Sequence, residues 1–220
     1  MAYILNIDTA LETASICLSN EGELIGFSEN EKQRYQAAWL QHGVHKLLAV
    51  AGIQPKDLQA IAVSNGPGSY TGLRIGLSSA KGLCYALNIP LIAINTLDMM
   101  AAAAIQNEAD LFCPMIDARR MEVYTAVYDN KSARVVEPHA LILNEESFID
   151  MSETSTILFF GNGSVKYKTI AKRKNAIFKD VVINAKNLIN ISYNRFRIKN
   201  FDNIAYTQPF YIKEFHSSVR

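Results

Sequence analysis

Three glycines and two aliphatic hydroxyls fall within Gly66-Pro67-Gly68-Ser69-Tyr70-Thr71-Gly72, between an apolar run and a helical pattern. A strand-loop-helix junction aims backbone N–H groups and a helix N-terminus at one point, where an anion such as phosphate can sit. The spacing excludes two common phosphate loops. No Gly-Lys-Ser/Thr follows, and Thr71 stands where a dinucleotide fingerprint needs its third glycine. Three readings stay open: a tight turn that lets backbone approach backbone, a phosphate contact at Gly66, Gly68, Ser69, Thr71 and Gly72, and an edge turned toward a partner. Asp8 and Asp117 each end an apolar run. They could hold Mg2+ through water if a nucleotide bound between two halves, or they could simply form turns.

Other reactive side chains give weaker signals. His42 and His45 share a helix face, but no HExxH and no third ligand accompany them, so the expectation is exposed or partner-facing histidines and no metal. Ser64, Ser69 and Ser78 lack a nucleophile elbow, and His139 and His216 lie in unrelated contexts. Cys17, Cys84 and Cys113 sit far apart in apolar stretches with no CxxC, which suits a reducing cytoplasm and no disulfide framework.

The elements that must position these residues follow from hydropathy. Tyr3–Asp8, Ala14–Ser19 and Glu23–Ser28 read as strands, the last two joined by a hairpin at Asn20-Glu21-Gly22. A helix from Tyr35 to Ala51 ends at Gly52, suited to a left-handed cap. Then come a strand over Gln59–Asn65, a helix over Leu73–Leu87, a strand over Leu91–Ile94 and a helix from Thr96 to Ala104. Leu111–Asp117 restarts the pattern with a second strand ending in Ile-Asp. Met121–Asp129 and Val135–Leu143 are its expected neighbours, followed by a short helix. A strand at Thr156–Phe160, a helix near Ser164–Arg173, a strand near Val181 and a helix near Ala185–Ile198 complete the chain. This is an α/β chain with mixed sheets, read as two lobes divided near Glu108-Ala109.

The balance of 22 basic and 21 acidic residues in 220 argues against a strongly basic nucleic-acid coat, and 49% hydrophobic residues exclude wholesale disorder. No window nears the ~20 apolar residues of a membrane helix. The amino-terminal residues lack the basic region of a signal peptide, so none is expected. Charge is locally uneven: residues 166–199 hold ten basic side chains and one acid. That segment reads either as a solvated helical surface or as a docking face for RNA phosphate or an acidic partner.

The helices around the glycine loop are apolar on more than one side. In the first, Ala37, Leu40, Val44, Leu47, Leu48 and Ala51 form a core stripe, with Trp39, Gly43 and Val50 as a second strip. In the next, Leu73, Leu77, Ala80, Cys84 and Leu87 form one stripe and Ile75, Ser79, Leu83 and Ala86 another, with Arg74 and Lys81 its charges. A helix apolar on two flanks must be buried on both, and one flank could belong to another subunit. The competing expectation is that the second half of the chain covers it. Trp39, Gly43, Val50, Arg74, Ile75, Ser79, Ala80 and Leu83 are the candidate interface.

These residues also carry a resemblance. Ile7-Asp8-Thr9, the run from Ser64 to Gly76, Ile116-Asp117-Ala118-Arg119 with Glu122-Val123-Tyr124, Gly161-Asn162-Gly163 and Pro209-Phe210-Tyr211-Ile212-Lys213 resemble the TsaB (YeaZ) family of the tRNA threonylcarbamoyladenosine machinery. The family is related to TsaD and to glycoprotease-like proteins. The resemblance implies a two-lobed actin/Hsp70-like ATPase fold, ribonuclease H-like, with a shortened C-terminal lobe. It adds Thr9 to the candidate anion site, although Ala10 stands where a hydroxyl residue is usual. It also implies a cytoplasmic, non-catalytic scaffold that pairs with a TsaD-like subunit through helices of the first lobe and admits a TsaE-like ATPase. ATP and Mg2+ would then act in the complex, tRNA would be met indirectly, and the isolated chain could homodimerise. The rival readings are an ATP- and Mg-binding enzyme of the same fold and, more remotely, a metallopeptidase.

Overall fold

The computed structural model describes residues 1–30, 36–152 and 154–213. Tyr35, where the first helix is expected to begin, and His216 lie outside the described residues. The chain divides into two compact units. Among the described residues, one comprises Met1–Met99 with Ile183–Phe210, and the other comprises Met100–Val182 with residues 211–213. The division expected near Glu108-Ala109 thus falls earlier, and residues 183–210 return to the first unit.

The first unit is built on five strands: β1 (Tyr3–Asp8), β2 (Ser15–Asn20), β3 (Glu23–Glu29), β4 (Ala60–Ser64) and β5 (Leu91–Ile94), in the order β3-β2-β1-β4-β5. β1 pairs antiparallel with β2 and parallel with β4, so the sheet is mixed. Positive φ at Glu21 and Gly22 lets the β2–β3 hairpin turn in two residues. Strand alternation sends Leu5, Ile7, Ile61 and Val63 to one face, under helices α1 (Gln36–Ala51) and α2 (Tyr70–Leu87). Ile4, Ala60 and Ala62 go to the other face. Gly52 caps α1 at φ 69, and a helix α3 (Thr96–Ala104) follows β5.

The second unit repeats the plan with β6 (Leu111–Asp117), β7 (Glu122–Asp129), β8 (Arg134–Ile142), β9 (Ile157–Phe160) and β10 (Ala176–Phe178), ordered β10-β9-β6-β7-β8. Its core joins Cys113, Met115, Val123, Phe159 and Tyr167. Local expectations fail here in three places. Turns, not a helix, run over residues 145–150. The helix expected near Ser164–Arg173 stops at Lys168 (α4, Ser164–Lys168), where the Ile170 and Ala171 amides turn back to Tyr167 O, and Arg173 beyond it gives its guanidinium to the carbonyls of Phe148, Met151, Ser152 and Ser155. The strand expected near Val181 lies at Ala176–Phe178, where the Phe178 ring stacks on Phe159 at 5.4 Å.

The returning segment forms a 3₁₀ turn at Ala185–Leu188 and helix α5 (Ile189–Arg197). Leu188 is fully buried against Ile4, Ala60 and Ile92, a burial that contributes about 1.5–3 kcal/mol. Polar ties fix its register. The Ser192 hydroxyl donates to Asn6 Oδ1 (2.7 Å), and the Ala185 amide donates to Ser15 Oγ (2.9 Å). In the last turn of α5, Arg195 Nη2 pairs with Asp202 Oδ2 (2.9 Å), which also accepts the Ala93 amide (2.7 Å) and so closes the β5 edge of the sheet. No described helix is long and apolar enough to cross a membrane.

Candidate functional site

The glycine-rich loop follows β4 and delivers α2, whose N-cap Ser69 accepts the Gly72 amide at 3.2 Å. Its backbone lies against the turn after β1. The Ser69 amide donates to Ala10 O (2.7 Å), the Thr9 hydroxyl donates to Gly72 O (2.8 Å) and the Gly66 amide donates to Thr96 Oγ1 (3.0 Å). A Cβ at Gly68 would overlap Ala10 O, at Gly72 it would overlap Thr9 O, at Gly76 it would meet Thr9 Oγ1, and at Gly66 it would meet Phe210 O. Each approach is below 3.0 Å, closer than real Cβ atoms come. The glycines therefore serve close backbone packing, the first of the three readings left open by the sequence. Thr71 is exposed on the first turn of α2.

Asp8 is fully buried. Its Oδ1 accepts the Ser64 hydroxyl (2.6 Å) and the Ala10 amide (3.0 Å), while Oδ2 has no hydrogen-bond partner. Burial pushes its carboxyl pKa above the ordinary range, and the Ser64 and Ala10 hydrogen bonds only partly oppose that. Asp117 belongs to the other unit. Its Oδ1 accepts Lys166 Nζ and the Arg119 amide, both at 2.6 Å. Partial burial would raise its pKa, but the Lys166 bond, the Arg119 amide and the charges of Lys166 and Arg119 outweigh that and hold it low. In the first unit Asp8 is sealed from solvent, the Gly66, Ser69 and Gly72 amides are already bonded within the fold, and a lysine neutralises Asp117 in the second. These residues do not fit that cofactor. Among the described residues, no three His, Cys, Asp or Glu side chains are grouped to hold a metal ion. The three thiols are buried and pushed up to about 12, far from nucleophilic range at neutral pH. Ser64 serves Asp8, and Ser78 is exposed on α2.

Helices α1 and α2 present the other candidate surface. Leu73, Leu77, Ala80 and Cys84 are buried in the unit's own core. Ile75, Ser79 and Leu83 on the neighbouring flank remain half-exposed, with Ile75, Leu83 and Trp39 packed only at the core's margin. Gln41 Nε2 donates to Ser79 Oγ at 3.2 Å, bridging the helices. A groove of about 330 Å³ is lined by Gln41, Ser78, Ser79, Gly82 and Leu83. Val50 is 81% exposed, and Arg74 lies over the Tyr70 ring at 4.0 Å. Two expected interface residues are corrected. Ala80 is fully buried, one position round from the exposed flank, and Gly43 is buried where its Cβ would meet Ile16 and the Trp39 ring. The groove also takes in Gln41, Ser78 and Gly82, which the sequence reading does not place on this flank; Ser78 and Gly82 stand four apart on α2 and so share a face. His42 and His45 are exposed.

Comparison with known proteins places this geometry in context. Residues 23–211 match the family described as "TsaD: tRNA N6-adenosine threonylcarbamoyltransferase". A Bacillus subtilis protein named "tRNA threonylcarbamoyladenosine biosynthesis protein TsaB" is 34% identical over 168 residues, 75% of this chain and 73% of the relative. The Escherichia coli protein of the same name is 29% identical over 218 residues, 96% of this chain and 94% of the relative. A crystal structure from Pseudomonas aeruginosa, described as similar to peptidase YEAZ, superposes with TM-score 0.85 at 25% identity, covering 97% of this chain and 100% of that one. The architecture is the α/β fold of actin-like ATPases.

Proposed function

Since the chain belongs to the TsaB family, whose members take part in tRNA threonylcarbamoyladenosine biosynthesis, we propose that it is a non-catalytic scaffold subunit of that machinery. It pairs with a TsaD-like catalytic subunit through the α1–α2 flank, and a TsaE-like ATPase joins the pair. The observation that carries this reading is the flank itself. Ile75 and Leu83 stay half-exposed beside an open groove, although the same helix buries Leu73, Leu77, Ala80 and Cys84 on the neighbouring stripe. Unpartnered apolar flanks of this kind mark protein contacts. The same surface would take a second copy when no partner is present.

The ATP- and Mg-binding alternative is disfavoured by the sealed Asp8 and by loop amides already bonded to Ala10, Thr96 and Ser69. Reconstitution tests the choice. Given ATP, a threonylcarbamoyl donor and unmodified tRNA, the chain alone should yield no threonylcarbamoyladenosine. Adding TsaD-like and TsaE-like subunits to the same mixture should allow formation only while the chain is present. Modification by the two other subunits at an equal rate without it would refute the scaffold role. ATP binding by the chain alone at micromolar concentration would revive the enzyme reading.

A further inference from the structure

The ten basic residues of 166–199 separate once the fold is known. Lys166 pairs with Asp117, Lys172 with Glu145 and Arg195 with Asp202. Arg173 is consumed by backbone carbonyls, and Lys179 donates to Asn107 Oδ1 at 3.3 Å. Lys168 and Lys174, in the second unit, are exposed and without an ion-pair partner among the described residues, and so are three cations of the returning segment, Lys186, Arg197 and Lys199. These three belong to the first unit. The segment Ile183–Phe201 that carries them contains no acid. On α5, Asn190, Asn194 and Arg197 recur at helical spacing on one exposed face. Lys186 lies over the Phe27 ring at 4.5 Å and Arg197 over the Tyr193 ring at 5.9 Å. Exposed Ile198 and Phe201 flank Lys199. At the border, Gly22 abuts the Tyr193 ring. Of the acids beside it, Glu21 is engaged by the amino terminus at 2.9 Å, and Glu23 is exposed.

We propose that the returning segment binds the phosphodiester backbone of RNA directly, through Lys186 in the 3₁₀ turn, Arg197 at the end of α5 and Lys199 just beyond it, with Asn190 and Asn194 of α5 as uncharged hydrogen-bond donors. Cations held on aromatic rings, exposed amides and an acid-free segment suit an extended polyanion, and phosphate contacts need no base recognition. The inference rests on the reading that the chain works in tRNA modification and extends it. The scaffold does not only position another subunit; it also grips the substrate.

The test is fluorescence anisotropy of the full chain with a fluorescein-labelled, unmodified tRNA transcript across a salt series. Three phosphate contacts at a slope of about −0.9 each give about −2.7 in log K against log salt, or about a 40-fold loss between 50 and 200 mM. The variant Lys186→Gln/Arg197→Gln/Lys199→Asn suits the fold, because Lys199 sits at φ 55, where asparagine is tolerated. It should bind at least tenfold more weakly at 100 mM salt, with a nearly flat salt response. Lys168→Gln/Lys174→Gln, in the other unit, should bind as the parent does. Parent-like affinity of the triple variant, equal weakening by the control pair, or equal affinity for polyglutamate each overturns the proposal. If the chain pairs with a TsaD-like subunit but the triple variant binds tRNA normally, only this inference falls. If tRNA binding maps to the returning segment but no such subunit pairs with the chain, only the scaffold reading falls.

Discussion

Replacing Gly72 with alanine separates packing from ligand binding in the glycine-rich loop. Gly72 is buried in the first turn of α2, and its missing Cβ would overlap the Thr9 carbonyl oxygen, a backbone atom that cannot swing away. Alanine gains about 1 kcal/mol over glycine in a helix. Against that, separating the two backbones strains the site by about 1–3 kcal/mol. It also breaks the 2.8 Å bond from the Thr9 hydroxyl to Gly72 O. Leaving that buried hydroxyl unpaired costs about 1–3 kcal/mol more. The expected net loss is about 1–5 kcal/mol in the protein without ligand. Gly82→Ala supplies the control on the same helix, since nothing lies within 4 Å of its Cβ and it should gain about 1 kcal/mol. Urea unfolding followed by the emission of Trp39, the chain's one tryptophan, reads both variants in the first unit. A Gly72→Ala midpoint equal to that of the parent would refute the packing account. It would mean that the turn has room to spare, as a phosphate cradle would.

Two further variants probe the same unit. Burial raises the Asp8 pKa, so its ionisation opposes folding: the neutral form's stability is present below the ordinary carboxylate range and lost as pH rises through the raised value. Asp8→Asn should therefore gain thermal stability relative to the parent as pH climbs from 4 to 8, and a difference that stays constant with pH would contradict the sealed carboxyl. Asp202→Ala removes the acceptor for both the Ala93 amide and Arg195, and should cost about 1–3 kcal/mol in urea unfolding, with Asp202→Asn recovering part of it. A loss under about 0.5 kcal/mol would show that the β5 edge needs no such closure.

The strands were largely readable because each half opens with a buried strand ending in Ile-Asp and because alternation along β1 and β4 serves two covered faces. The glycine loop was readable as a junction but not as a packing device. Nothing in Gly66–Gly72 says that Thr9 and Ala10, more than fifty residues away in sequence, press against it. The return of 183–210 was equally hidden. The α5 pattern announces a helix, but its partners Asn6, Ser15 and Ile4 lie at the other end of the chain. On α2, helical spacing separates a buried stripe from a half-exposed flank, and Ala80 falls on the buried side. Ala80 sits one residue from Ser79 and faces the core, because 100° of rotation separates successive side chains. The basic run shows the same limit. Composition gave ten cations, whereas only the fold distinguishes those tied to carboxylates and carbonyls from those on an open face.

Pairing with a TsaD-like subunit depends on the flank of α2. Leu83→Arg places a charge on the half-exposed rim of the groove without entering the buried stripe, so the first unit should keep its unfolding midpoint. Its affinity for a TsaD-like subunit, measured by calorimetry or sedimentation, should fall by about 100-fold or more, as expected when a charge is forced into an apolar contact. Val135→Arg, on an exposed position of β8 in the other unit, should leave that affinity unchanged. Parent-like affinity of Leu83→Arg, with the fold intact, would contradict the placement of the interface on α1 and α2.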